Sequence, residues 1–173
     1  MRLMLLRHAK AEKAEGAMRD RDRPLNARGR GDAVEIAIYL RNHNLLPDRA
    51  VVSSARRTRE TWERMATEIS TALSVEYQDR LYDAGTDTIL DVIKAVGRSA
   101  PTLLVIGHNP GMHDMARRLL AHRAGSARTL DEGLPTAGLV VIDFAGDDWR
   151  KLAPKSGRLK VVVTPRLIKA DKD

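Results

Sequence analysis

Short apolar runs alternate along this chain with longer stretches in which apolar residues recur every three or four positions. Leu3 to Leu6 predicts a first strand, and the polar stretch Asp20 to Pro24 predicts a loop. Asn26 then sits where a helix N-cap belongs, followed by Ala33, Ile36, Ala37 and Leu40 at helical spacing, with Pro47 as the limit of that stretch. Ala50-Val51-Val52-Ser53 predicts a second strand. Thr58, Trp62, Met65, Ala66, Ile69 and Leu73 mark one face of the next helix. Ser74 to Gln78 alternates weakly, as a strand would. Ile89, Leu90, Ile93 and Val96 mark a third helix that stops at Gly97. Thr102 to Gly107 is continuously apolar, the pattern of a central strand covered on both faces. Met115, Ala116, Leu119 and Leu120 predict a fourth helix, and Gly138 to Phe144 and Leu159 to Val163 predict further strands. The charged tail from Lys169 to Asp173 is expected to fray. Strands that alternate with helices predict an α/β fold, a three-layer α/β/α arrangement with a mainly parallel central sheet. Residues 1–173 read as a single domain.

Composition narrows the class. The chain has 173 residues, 43% hydrophobic and 31% charged, which suits one domain with a sizeable core. It contains no cysteine, so disulfides, thiol nucleophiles and cysteine-ligated zinc are excluded. The formal net charge is +7, which favours encounter with anionic partners. Aromatic residues make up only 3%, too few for the stacking platforms of a single-strand nucleic-acid module, so no nucleic acid is expected as a partner. No run approaches the roughly 20 apolar residues of a membrane span. Arg7 breaks the first apolar run short of the ~7–15 residues a signal peptide needs. No membrane association is expected, and the cytoplasm is the expected compartment. The sequence leaves the oligomeric state open.

In parallel α/β folds, ligands bind beyond the carboxyl ends of the strands. Three such ends carry cationic or imidazole side chains: Arg7-His8, Ser53-Ser54 leading into Arg56-Arg57-Thr58-Arg59, and Gly107-His108-Asn109-Pro110-Gly111. If these strands are neighbours, guanidinium and imidazole groups converge beside a helix N-terminus. Such a pocket suits a dianion, with phosphate the leading candidate.

The same residues carry a resemblance. Leu6-Arg7-His8-Ala9-Lys10-Ala11 resembles the Arg-His-Gly signature of the histidine phosphatase superfamily. Arg23-Pro24-Leu25-Asn26 with Gly29, Ser53-Ser54-Ala55-Arg56-Arg57-Thr58-Arg59-Glu60-Thr61, Gly107-His108-Asn109-Pro110-Gly111 and Leu134-Pro135-Thr136-Ala137-Gly138 are similar to its further motifs, in order. Order, spacing and length most resemble the small phosphohistidine phosphatases of the SixA type. The resemblance implies a phosphoglycerate-mutase-like fold and hydrolysis of phosphohistidine, on a protein, or of a small phosphorylated substrate such as a phosphomonoester, through a covalent phosphohistidine intermediate. It implies His8 as nucleophile, neutral at the attacking nitrogen and tautomerically fixed by a backbone carbonyl. Arg7 and Arg57 would clamp the nonbridging oxygens, and His108 would stabilise charge on the transferring group. No metal or other cofactor is required, because the protein supplies the cations.

Two positions depart from the family pattern. Ala9 replaces the signature glycine; if backbone must approach the substrate there, a methyl group narrows the floor, and being small it is expected to be tolerated. Related enzymes place a glutamate after a leucine-containing turn, where this chain has Leu81-Tyr82-Asp83. Asp83 is thus the candidate general acid, and its other reading is a loop carboxylate paired with Arg80. Arg56, Arg59 and Arg64 read as a solvated face near Glu60, Glu63 and Glu68, and Arg57 could belong to it too; only the motif resemblance separates Arg57. His43, His113 and His122 read as structural or exposed. Two other functions stay open at this level: a phosphoglycerate-type mutase, for which the chain is short because a mutase needs a water-excluding lid, and a basic module that binds nucleic acid or acidic protein.

Overall fold

Alternation within the strands decides which side each residue buries. In a computed structural model, described for residues 1–69, 73–121 and 128–170, strand β1 spans Arg2–Arg7. Its Leu3 and Leu5 join one apolar layer and its Met4 and Leu6 the other. The same period of two divides β4, at Thr102–Gly107: Leu103 and Val105 face one way, Leu104 and Ile106 the other. Both strands are covered on both faces, which is why their sequences read as continuous apolar runs.

Between them come helix α1 (Ala27–Asn42), strand β2 (Arg49–Ser53), helix α2 (Arg56–Ala66), strand β3 (Ser74–Gln78) and helix α3 (Thr86–Ala95). After β4 follow helix α4 (Gly111–Leu119), a short helix α5 (Arg128–Asp131), strands β5 (Leu139–Asp143) and β6 (Arg158–Val163), and helix α6 (Pro165–Ala170). The six strands form one sheet in the order β3-β2-β4-β1-β5-β6. Strand β2 is parallel to β3 and to β4, and β1 is parallel to β4, while β5 runs antiparallel to both β1 and β6. The fold is the expected α/β sandwich with a mostly parallel sheet. Residues of α1, α2 and α6 fill one layer with Ala37, Leu40, Met65 and Ile168. Residues of α3 and α4 fill the other with Ile89, Ile93, Met112 and Leu119, closed at its end by Trp149. Among the described residues no helix is long and apolar enough to cross a membrane.

Local signals act as their chemistry requires. The Asn26 side chain accepts the Gly29 amide at 2.8 Å and caps α1. Gly97, at φ +63°, ends the stretch that follows α3. Some expected limits shift. Helix α2 stops at Ala66, so Ile69 is buried from the loop beyond it and Leu73 packs from the approach to β3. The polar stretch at Asp20 tightens into a 3-10 turn over Asp20–Asp22. The tail is ordered as far as Ala170, because Lys169 reaches the buried Asp32 carboxylate at 3.2 Å. Residues 171–173 lie outside the described residues.

Candidate active site

Strand order brings the three chemical strand ends side by side. Arg7 pairs with Gly107 and Val52 with Ile106, so Arg7, Gly107 and Ser53 stand at one level of the sheet. His8 and His108 follow one residue later. The His8 amide donates to the Gly107 carbonyl at 3.0 Å. From the other side, the Ala137 amide donates to the carbonyls of Arg7 and His8, which ties the approach to β5 onto the exit of β1. Helix α2 is locked to the same exit through Thr61, whose hydroxyl donates to the Arg57 carbonyl at 2.6 Å and accepts the Ala9 amide at 3.1 Å.

The His8 ring has a defined tautomer. Its Nδ1 donates to the Ala9 carbonyl at 2.7 Å, leaving the Nε2 lone pair to accept from Arg57 Nε at 3.2 Å. Burial pushes the His8 pKa down to about 4, and the nearby Arg57, Arg7 and Arg23 guanidiniums act in the same direction. The His108 ring lies 5.3 Å away, centroid to centroid. Its Nδ1 accepts from Arg57 Nη2 at 3.2 Å, and its Nε2 meets Ser53 Oγ at 2.7 Å. Burial, then the His8 ring and Arg57, lower its pKa to about 3. Both imidazoles are held uncharged with a nitrogen lone pair facing one guanidinium.

That guanidinium is the hub of the site. Arg57 is only 4% exposed, on the inner face of α2, while Arg56 and Arg59 lie on the solvated side. Arg56 pairs with Glu60, and Arg59 covers the Tyr77 ring. Arg57 also donates from Nη1 to the Asp20 carbonyl at 2.7 Å and from Nη2 to the Asp20 carboxylate at 3.0 Å. Arg7 stands on the opposite flank. Its Nη1 donates to the Leu134 carbonyl at 2.9 Å, a carbonyl that Asn109 Nδ2 also reaches. Arg7 Nε and Asn109 Oδ1 are buried without a hydrogen-bond partner, and burial lowers the Arg7 pKa. Beside Arg7 opens a cleft of about 640 Å³, lined by Arg28, Asn109, Leu134, Thr136, Arg166 and Leu167 among others.

Asp83 lies at the rim. Its Oδ1 is 3.9 Å from His108 Nδ1 and 4.0 Å from Arg57 Nη2. Arg80 turns away from it and pairs with Asp91 at 3.6 Å. Ala9 is fully buried in the apolar layer with Leu6 and Leu25, so its methyl group fills core and does not narrow the site floor. His43 stacks on Tyr39 at 3.9 Å, and His113 reaches the Leu130 carbonyl. His122 lies outside the described residues.

Three participants went unread in the sequence. Ser53 lies inside a quoted motif, and only its position at the end of a central strand marked it. Tyr82 and Asp20 sit on loops whose residue types commonly face solvent. In the fold the Tyr82 ring meets His108 edge-on at 5.4 Å, and its hydroxyl donates to Asp20 Oδ2 at 2.8 Å.

Chemically, the arrangement offers an uncharged imidazole lone pair beside fixed cationic donors, the equipment for nucleophilic attack on an anionic phosphorus centre. Comparison with known proteins agrees. A family model described as "Histidine phosphatase superfamily (branch 1)" matches residues 3–89. An uncharacterized protein of Mycobacterium tuberculosis is 33% identical over 93% of this chain and 100% of its own length. Among solved structures, one from Nakamurella multipartitia, assigned as a phosphohistidine phosphatase SixA, is 33% identical with a TM-score of 0.82, covering 95% of each chain. A second so assigned, from Agrobacterium tumefaciens, is 30% identical with a TM-score of 0.81, covering 95% of this chain and 97% of that one.

Proposed function

From the premise that this chain belongs to the histidine phosphatase superfamily, we propose that it is a phosphatase hydrolysing phosphohistidine through a covalent intermediate on His8. One observation carries the reading: a neutral imidazole, pinned by the Ala9 carbonyl at Nδ1, presents its Nε2 lone pair to Arg57 beside His108. The SixA assignments of two similar structures support the substrate class.

In the proposed reaction the phosphoryl group takes over the donors of Arg57 that now serve His8 and His108, together with the unpartnered Nε of Arg7. The His8 Nε2 lone pair forms a bond to phosphorus while the bond to the leaving group breaks. Water then attacks the phosphoryl-His8, releasing orthophosphate and restoring the imidazole. A dianion between the rings raises the pKa of His108, which then donates to the transferring group. Asp83 is the proposed proton donor for leaving groups that need one. The positive charge at phosphorus comes from Arg7 and Arg57, so no metal takes part. The cleft beside Arg7 leaves space for a substrate borne on a protein.

Rapid quench of a single turnover tests this reading. Wild type should yield acid-labile, alkali-stable phosphate on His8, with full turnover in excess EDTA, and His8→Ala should abolish both adduct and turnover. Turnover without the adduct, or turnover that survives in His8→Ala, would overturn it.

A further inference from the structure

The loop that leaves His8 returns across the mouth of the site. Its base is fixed: Ala11 bridges Leu25, the Asn26 amide donates to the Lys10 carbonyl, and the Glu12 amide donates to the Pro24 carbonyl. Arg23 Nε adds a bond to the Glu12 carbonyl at 2.7 Å. On that base the loop sets Asp20 against the open side of the site. Asp20 Oδ1 accepts from Arg23 Nη1 at 2.7 Å, and Oδ2 accepts from Arg57 Nη2 at 3.0 Å and from the Tyr82 hydroxyl at 2.8 Å. These partners, Arg23 first, hold its carboxyl down at about 2. It is therefore a fixed anion.

A fixed carboxylate within a phosphate site repels a bare dianion. Its presence fits better with a substrate that brings a positive charge of its own. Position agrees with this. The groups that would face phosphorus are interior: His108 is 3% exposed and Arg57 4%. The carboxylates lie toward solvent, with the Asp20 side chain 47% exposed and that of Asp83 58%, and with Arg23 on Asp20 and Arg21 over the Tyr82 ring beside them. A leaving group carried on a larger molecule must occupy the solvent side, and so it meets Asp20. A carboxylate has about four lone-pair sites, and donors fill three of them here. Among the described residues no second donor reaches Oδ1, so the fourth site would take a donor from the substrate.

We propose that Asp20 is a specificity-determining residue that accepts the far N–H of a protonated nitrogen-base leaving group, the imidazolium of phosphohistidine, with Tyr82 as its positioning residue. The inference rests on the phosphohistidine reading above. As His8 Nε2 bonds to phosphorus, the phosphorus–nitrogen bond of the substrate breaks and its electron pair stays on the departing nitrogen. The ring enters as imidazolium and leaves as neutral imidazole, its remaining N–H still on Asp20. No proton moves in this step. An alcohol or phenol leaving group has no such N–H, and for it Asp20 is only a repelling charge.

The test compares phosphoimidazole with p-nitrophenyl phosphate on wild type and Asp20→Asn. The expected result has opposite signs: kcat/KM for phosphoimidazole falls at least about tenfold, while that for p-nitrophenyl phosphate rises. Tyr82→Phe should move the ratio the same way by a smaller factor. Both substrates falling together would reduce Asp20 to a prop for Arg57. Both rising together would reduce it to a competing anion. Either result overturns the proposal while the His8 adduct is still trapped. Loss of that adduct in wild type would instead remove the underlying phosphatase reading.

Discussion

His8 owes its uncharged state to two separate influences. Burial removes water from the ring, and Arg57 and Arg7 place positive charge beside the nitrogen that would have to take a proton. The consequence is measurable at that one residue. In NMR titration the His8 ring should protonate near pH 4 instead of near 6.5. Saturating inorganic phosphate should raise that value by about one unit or more, because a dianion reverses the sign of the local field. A His8 that titrates near 6.5 without phosphate would show that the guanidinium and the burial do not act on it. The motif spacing placed Arg7, His8, Arg57 and His108 in the sequence. Residue type alone did not separate Arg57 from Arg56 and Arg59, which are chemically identical and occupy one helical turn; the motif resemblance did, and the fold agrees. The packing of α2 against the exit of β1 turns Arg57 toward His8. Asp20 was hidden, since an acidic residue in a polar loop ordinarily meets water.

At the scale of elements, helix α1 must approach the exit of β1 closely for the loop after His8 to close. Gly29 makes that approach: a Cβ there would stand 2.0 Å from the Lys10 carbonyl oxygen. Gly31, two residues on, has open space around it. Gly29→Ala should therefore cost about 1–3 kcal/mol in urea unfolding, the range for overpacking a site that cannot give way. Gly31→Ala should gain up to about 1 kcal/mol through helix propensity. Equal effects at the two positions would show that helix propensity, not close approach, governs this helix. The periodicity in the sequence read the elements well because each strand alternates between the two apolar layers and each helix presents one stripe. Their ends were less legible. Helix α2 ends at Ala66 although apolar residues continue at helical spacing, because Ile69 buries itself without helical backbone.

For the whole molecule, the two imidazoles tie stability to pH. Both have folded pKa values below the ordinary 6.5, so between 6.5 and their lowered values the unfolded chain binds more protons. Their contribution is complete above pH 6.5 and is lost as pH falls toward about 4 for His8 and about 3 for His108. Each group carries up to about 1.4 kcal/mol per pH unit across its window. Asp20 acts in the same sense in a lower window: its lowered pKa stabilises the fold above about 3.8, and that stability is lost as pH falls from there toward about 2. Urea midpoints should therefore drop from pH 7 to pH 5, before the Asp20 carboxylate begins to titrate. Replacing His108 by Gln should flatten that slope. An unchanged slope would separate the imidazoles from the acid sensitivity of the fold.

Local chemistry along the chain by itself determined which segments are strands and helices, the α/β class, and the three strand ends whose cationic and imidazole side chains suit a dianion. These follow from the order of residue types and their periods, which neighbours in sequence already contain. The tertiary structure alone decided that β4 lies between β1 and β2, that Ser53 meets His108, and that Asp20 and Tyr82 close the rim. Those facts depend on which distant strands lie side by side. Strand order arises from how two apolar layers are filled on both faces of the sheet, a property of the packed whole that no single segment carries.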